Sequence, residues 1–255
     1  MCTVVILRQP NCPWPVIIAA NRDEMSHRLW RPPARHWDEH PHVVAGIDEE
    51  AGGTWMGLND DGLLAAVLNR PGSLGPAKGK RSRGELPLEA LSHAEATEAA
   101  KAIAHLDGRA YRSFNMLIAD ARDAFWVRST GDRAKVDILP VGTGISMLTA
   151  NDLNDTQSDR ISGYLPQFRD AAIPDPESGD WRAWQALLGS RVAQPVIGAT
   201  DGGRGAMNVG TDSGFMTVCS SLVALPGLQK FGEKPKWLFA AGAPDRVPYL
   251  EVPMD

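Results

Sequence analysis

Two short apolar runs stand near the start of the chain, Cys2-Thr3-Val4-Val5-Ile6-Leu7 and Val16-Ile17-Ile18-Ala19-Ala20, and the second gives way abruptly to the polar cluster Asn21-Arg22-Asp23-Glu24. Continuous apolar runs of this length, bounded by turn formers such as Pro15, predict strands buried on both faces. The form recurs from Leu63 to Leu68, entered through the hairpin-like turn Asp60-Asp61-Gly62 and left through Asn69-Arg70-Pro71-Gly72. Phe114 to Asp120 and Ala124 to Ser129, with Ala121-Arg122-Asp123 between them, predict a hairpin. A strand from Ile145 to Ala150 delivers Asn151 to its end, and late strands are expected over Met216 to Leu225 and Trp237 to Ala241.

The period changes between Gly84 and Leu106, where Leu86, Ala90, Leu91, Ala94, Ala99, Ala102 and Ile103 fall near a 3.6-residue repeat and Ser92-His93-Ala94-Glu95 has the form of a capping start. One or two helices covering a sheet follow from this. Asp155 to Phe168 and Trp181 to Leu188 predict further helices, separated by the Pro174-Asp175-Pro176 linker. The order strands, helix, strands, helices, strands suits α+β layers rather than alternating βαβ units.

Composition narrows the picture. A chain of 255 residues with 43% hydrophobic content buries a large core, and one domain over residues 1–255 is expected. The formal charge of -5 provides no broad basic footprint, which argues against nucleic acid as a partner. Cys2, Cys12 and Cys219 form neither an even disulfide framework nor metal-ligand spacing, so reduced thiols and no metal or cofactor are expected. With no 18-residue apolar stretch and no basic start followed by an apolar signal region, a membrane span is not expected and a cytoplasmic location is.

Cys2 is the first candidate for chemistry. Removal of Met1 by methionine aminopeptidase leaves a thiol and an α-amine, of unperturbed pKa about 8, on one residue. Such a nucleophile carries its own general base. Taken alone, a second-position cysteine is an ordinary small hydrophobe, and four polar residues after a strand are an ordinary turn.

Taken in order, Cys2, Asn21-Arg22-Asp23-Glu24, Gly52-Gly53-Thr54-Trp55 and Leu68-Asn69 resemble the NRDE family, also called the transport and Golgi organization protein 2 family. The likeness is sharpest up to Asn69 and extends more loosely to Leu148-Thr149-Ala150-Asn151-Asp152. That family is similar to the N-terminal nucleophile hydrolases, in particular the cysteine branch with bile-salt hydrolases and penicillin V acylase. The resemblance implies a four-layer αββα sandwich and cleavage of small non-peptide C–N amides. It implies Cys2 as nucleophile, Asp23 as the carboxylate holding the α-amine, and Asn69 and Asn151 in the oxyanion hole. Amide donors aimed at the developing oxyanion are what such chemistry requires.

Two positions depart from the cysteine hydrolases. Ala20 stands where they have an arginine, with Arg22 on the same strand face roughly 7 Å further along. Val218 stands about where a later arginine is expected. Two function classes follow: an amidohydrolase acting through Cys2, or a binding and trafficking protein for haem or lipid-like acyl ligands. Cys2, Asp23 and Asn69 favour the first; the missing arginines favour the second.

The remaining motifs are weaker. His27, His36, His40 and His42 lie among Trp30, Trp37, Pro32, Pro33 and Pro41 in a spacing that matches no zinc motif, and are expected as solvent-facing loop residues. Lys78-Gly79-Lys80-Arg81-Ser82-Arg83 has the composition to hold a carboxylate or phosphate, or to be a solvated loop. Trp55 suggests an aromatic wall beside the pocket, and Asp201-Gly202-Gly203-Arg204-Gly205 a connector.

Overall fold

A computed structural model describes residues 2–193 and 205–254; most of the Asp201 to Gly205 connector lies outside the described residues. In chain order the first strands are β1 (Thr3–Arg8), β2 (Val16–Met25), β3 (Trp30–Ala34), β4 (Val43–Asp48), β5 (Met56–Asn59) and β6 (Leu64–Asn69). Helices α1 (Glu85–Leu91) and α2 (Ala96–Ala104) follow, then β7 (Phe114–Ala119), β8 (Ala124–Ser129), β9 (Asp137–Pro140) and β10 (Gly144–Leu148). Helices α3 (Asp159–Asp170) and α4 (Arg182–Leu188) lead to β11 (Phe215–Leu225), β12 (Lys236–Ala240) and β13 (Leu250–Glu251).

The strands form two antiparallel sheets, ordered β10-β1-β2-β11-β12-β13 and β3-β4-β5-β6-β7-β8-β9. Alternation along each strand divides its apolar residues between two layers. Val4, Ile6, Val16 and Ile18 of the first sheet meet Leu58, Leu64, Ala66 and Leu68 of the second in a core between the sheets. Val5, Leu7, Ile17 and Ala19 face the other way, onto Ile161, Tyr164, Phe168 and Trp184 of α3 and α4. Val43, Ala65, Met116 and Ile118 pack similarly beneath Leu86, Leu91, Ala99 and Ile103 of α1 and α2. The result is the αββα order that the family resemblance implies. Strands buried on both faces lack polar alternation for this reason, and each fully buried Ile or Leu contributes about 1.5–3 kcal/mol.

Four local expectations are corrected. Strand β2 does not end at Ala20 but runs on to Met25, because Arg22, Asp23 and Glu24 pair with Cys219, Thr217 and Met216 of β11. The Pro-rich stretch is not wholly irregular: Pro32 and Pro33 lie in β3, at the edge of the second sheet and at a shift in register between Arg31 and Ala34. Edge positions tolerate proline because no ladder N–H is lost on the open side. The Ser92 capping start is absent: Ser92 closes α1 and bonds the Leu88 carbonyl, while the first amide of α2, at Ala96, is held by Asp120 from the second sheet. Helix α3 starts at Asp159, after an N-cap at Ser158, rather than at Asp155.

Two glycines record close approaches that shape the site. A Cβ on Gly46 would lie 2.2 Å from the Trp55 ring, so the indole rests directly on the backbone of β4. A Cβ on Gly53 would lie 2.4 Å from the Gly84 carbonyl carbon, which brings the loop before β5 against the residue that follows Arg83.

Candidate active site

The pairing of Thr3 with Asn21 carries Cys2 one rung further, beside Arg22, whose partner on the other side is Cys219. Residues opposite one another in an antiparallel sheet share a face. Cys2, Ala20, Arg22 and Cys219 accordingly line one narrow cavity between the sheets, closed from the facing sheet by Trp55, Met56, Ala66 and Leu68. Its volume is about 20 Å³, the space of a single water molecule. No histidine lines it among the described residues, and none of their His, Cys, Asp and Glu side chains gather in the threes a metal ion needs. His36 instead contacts the Pro32 carbonyl and His42 the Leu91 carbonyl.

The Cys2 thiol, half-buried, donates to the Asp23 carbonyl at 3.7 Å. Burial among its apolar neighbours pushes the thiol above its ordinary range and the Asp23 charge adds to this, against the opposing pull of the N-terminal charge, then of the bond to the Asp23 carbonyl and of Arg22. A thiol in this setting is neutral near pH 7, so nucleophilic attack requires a base.

Asp23 projects to the opposite face of the sheet. One carboxylate oxygen accepts from Thr217 Oγ1 at 2.7 Å, and the other from Arg160 Nη1 at 2.9 Å. The same Arg160 nitrogen also donates to Thr3 Oγ1 at 2.6 Å. Both ionic side chains are sealed from solvent, at 1% and 0% exposure. Such a pair is held by its geometry, because removing either member takes the opposite charge away from a buried ion.

Neither Ala20 nor Val218 supplies a cation to Asp23; the guanidinium that meets it comes from a helix. Val218 sits in the β-bulge between Thr217 and Cys219 and packs into the core between the sheets. Arg160 comes from the first turn of α3, on the same buried stripe as Ile161, Tyr164 and Phe168. The one signal for it in the sequence is a charged residue on the apolar face of the predicted helix. Thr217, Asp48 and Asn115 were missed as well.

Arg22 lies on the cavity face, as strand parity requires, but does not reach Asp23's partners. Its Nη2 donates to Asp48 at 2.9 Å and its guanidinium stacks 4.2 Å from the Trp55 ring centre. Asp48 is held in turn by two bonds from Arg28, at 2.6 and 2.9 Å. Asn21 faces α4, donating to the carbonyls of Leu188 and Met207.

The two asparagines come from different sheets. Asn69 ends β6, one residue after the cavity-lining Leu68, opposite Phe114. The Val67 N–H donates to the Trp55 carbonyl at 2.9 Å, so backbone alternation turns the Asn69 N–H toward that same side, beyond the first residue of β5. Asn151 lies in the turn after β10, and its side chain donates to Asp155 at 3.4 Å. Asn115, fully buried on β7, ties that turn to the second sheet: its Nδ2 donates to the carbonyls of Thr149 at 2.9 Å and Asn151 at 2.7 Å. The structure thus joins Cys2, Arg22 and Asp23 on neighbouring rungs of one strand pair, sets Asn69 beside the same cavity, and leaves the Asn151 amide turned to Asp155.

Known proteins match this chain in two ways. Over nearly its full length it is similar in fold to a Caenorhabditis elegans N-acylethanolamine-hydrolyzing acid amidase ortholog, with a TM-score of 0.57 at 13% identity, covering 99% of this chain and 100% of that one. A variant of the conjugated bile acid hydrolase from Clostridium perfringens matches at a TM-score of 0.53 and 15% identity, over 98% and 92% of the two chains. At these identities the likeness establishes the fold, that of the N-terminal nucleophile hydrolases. In sequence, the Transport and Golgi organization protein 2 homolog of Bos taurus is 34% identical over 142 residues, 51% of this chain and 50% of that protein. The Homo sapiens homolog is 34% identical over 115 residues, 43% and 40% of the two. The chain spans about half or less of the length of these curated relatives. The family model for Transport and Golgi organisation 2 matches residues 1–172, the part that carries Cys2, the Asn21 to Glu24 tetrapeptide, Asn69, Asn151 and Arg160, and the chain belongs to that family.

Proposed function

We propose that this chain is an amidohydrolase in which the Cys2 thiol, freed by removal of Met1, cleaves the C–N bond of a small acyl amide. The observation that carries this reading is the rung of Cys2 beside Arg22 and Asp23, with the Asp23 carboxylate locked by Arg160 and Thr217. That lock fixes the backbone of the tetrapeptide directly behind Cys2, where the α-amine must be held.

In the reaction, Cys2 Sγ attacks the carbonyl carbon as its proton passes to the Cys2 α-amine, giving a tetrahedral oxyanion. The ammonium returns the proton to the leaving nitrogen; the C–N bond breaks and a thioester remains. Water, deprotonated by the same amine, attacks the thioester, and the acid leaves as the thiol is restored. Burial of the thiol disfavours a free thiolate and suits proton removal that accompanies attack instead of preceding it. The Asn69 peptide N–H is assigned as one oxyanion donor, and the Asn151 amide joins it only after turning away from Asp155. The cavity accepts an acyl group once Trp55 and Arg22 move aside, since its resting volume fits one water.

The test is hydrolysis of a panel of N-acyl amides by the purified chain, with intact mass recorded first. Loss of Met1, turnover of at least one amide and its abolition in Cys2→Ala are expected. Undiminished hydrolysis by that variant defeats the reading.

A second reading, a non-catalytic binding or trafficking protein for an acyl or haem ligand, is favoured by the apolar lining of the cavity and the suppressed thiol. It predicts saturable binding that survives Cys2→Ala with no turnover by the parent chain.

A further inference from the structure

The basic stretch ending in Arg83 plays no part in the chemistry above, yet Arg83 is not a solvated surface residue. Its Nη1 donates to Ser73 Oγ at 2.8 Å and to the Ser113 carbonyl at 3.1 Å. Ser73, itself buried, is fixed by its own bond to the Arg70 carbonyl at 2.7 Å. Ser113 precedes Phe114, the partner of Asn69, so the Arg83 guanidinium stands at the end of β6 that carries Asn69. The contact of Gly84 with Gly53, and the 2.8 Å bond from Thr54 N to the Gly84 carbonyl, hold it next to the Trp55 loop.

What singles it out is charge. The other buried or half-buried guanidiniums near the site are paired: Arg22 with Asp48, Arg160 with Asp23, and Arg70 and Arg128 with Asp152. Arg83 makes no ion pair with any described residue, and the cation that acts on it is Arg112, whose own bonds go to the backbone carbonyls of Gly72, Leu74, Gly75 and Pro76. Burial and Arg112 together pull Arg83 down to about 10, while Glu24 acts on it in the other direction. Glu24 is itself engaged by Arg22 and Arg28. A half-buried guanidinium without a carboxylate is costly, and an arriving anion offsets that cost.

We propose that Arg83, seated on Ser73 and Ser113 at the Asn69 end of the cavity, is the recognition residue for an anionic group, a carboxylate or a phosphate, on the ligand whose acyl part reaches Cys2. The inference rests on the reading of Cys2 as the point of ligand attachment, and it makes the preferred ligand amphipathic: an acyl portion toward Cys2 and Trp55, and a negative group toward Arg83.

The experiment uses Cys2→Ala chain, in which no turnover can occur, titrated calorimetrically with octanoate, octyl phosphate and uncharged octanol. Both anions, or one of them, are expected to bind about tenfold or more tightly than octanol, the equivalent of one charge-assisted contact. Adding Arg83→Gln should remove that preference while leaving octanol affinity and the thermal midpoint in place, and Arg83→Lys should restore part of it. The tighter of the two anions identifies the group. An anion-to-octanol ratio unchanged by Arg83→Gln, equal loss for all three probes, or no binding of either anion overturns the proposal. Because no step depends on catalysis, an inactive parent chain that still discriminates anions through Arg83 would defeat the hydrolase reading and leave this one standing.

Discussion

At the scale of single residues, the behaviour of the site turns on how strongly each charge is held. The Cys2 thiol is disfavoured as an anion, and so is Cys219 beside it, both chiefly by burial. In a chain that keeps Met1, Cys2 should therefore alkylate with iodoacetamide more slowly at pH 8 than a free cysteine, of pKa about 8.5, and continue to accelerate above pH 9. Equal rates at pH 8 would contradict the assignment. The linkage has a definite sign: both thiols favour the neutral form in the fold. Their contribution to stability is full below the range of an unfolded thiol and is lost as pH rises through and beyond it. Arg160 is the residue most tightly bound to the site. Arg160→Met leaves the Asp23 carboxylate buried without its guanidinium and should cost about 3–5 kcal/mol in denaturant unfolding. A loss under 1 kcal/mol would show the pair to be dispensable. Cys2 and Asp23 could be found from sequence because they lie in an ordered series of short motifs. Arg160 could not be matched that way, because it belongs to none of those motifs and its helix lies 137 residues from Asp23 in the sequence.

At the scale of elements, β2 and the loop before β5 build the cavity between them. Trp55 reaches the cavity because Gly46 leaves room for it, and Arg22 stacks on its ring. Gly46→Ala forces the indole off the β4 backbone. It should lower stability by about 1–3 kcal/mol and change Trp55 fluorescence and the access of alkylating reagents to Cys2. An unaltered spectrum would mean that the indole does not rest on Gly46. Assignment of the Asn69 donor to its peptide N–H predicts that Asn69→Ala retains most activity, whereas loss of a side-chain donor would cost about 3 kcal/mol of transition-state stabilisation. Strand periods gave most of these elements directly. The polar tetrapeptide looked like a strand end because its satisfying partners, Asp48, Arg160 and Thr217, are supplied from 25 or more residues away. The edge strand β3 escaped notice because its prolines mimic a loop.

At the scale of the whole molecule, the two sheets must keep register for Cys2 on one to face Leu68 and Asn69 on the other. Asn115 provides a polar tie at that junction, accepting from Arg70 Nη1 at 2.7 Å and Trp126 Nε1 at 3.1 Å while holding the turn of Asn151. Asn115→Ala should lower stability by about 3 kcal/mol, as several buried polar groups lose a partner together, and should expose the Asn151 turn to faster amide exchange. The layered architecture was accessible from sequence because continuous apolar strands demand cover on both faces, and two helical regions were there to supply it. The junction was not, since a lone asparagine in an apolar strand carries no mark of the four groups it joins. The most direct measurement is mass analysis of the chain quenched in acid during turnover of an N-acyl amide. The recovered N-terminal peptide is expected to begin at Cys2 and to carry the acyl group as a thioester. An unmodified peptide that still begins at Met1, recovered while the amide is being hydrolysed, would contradict it.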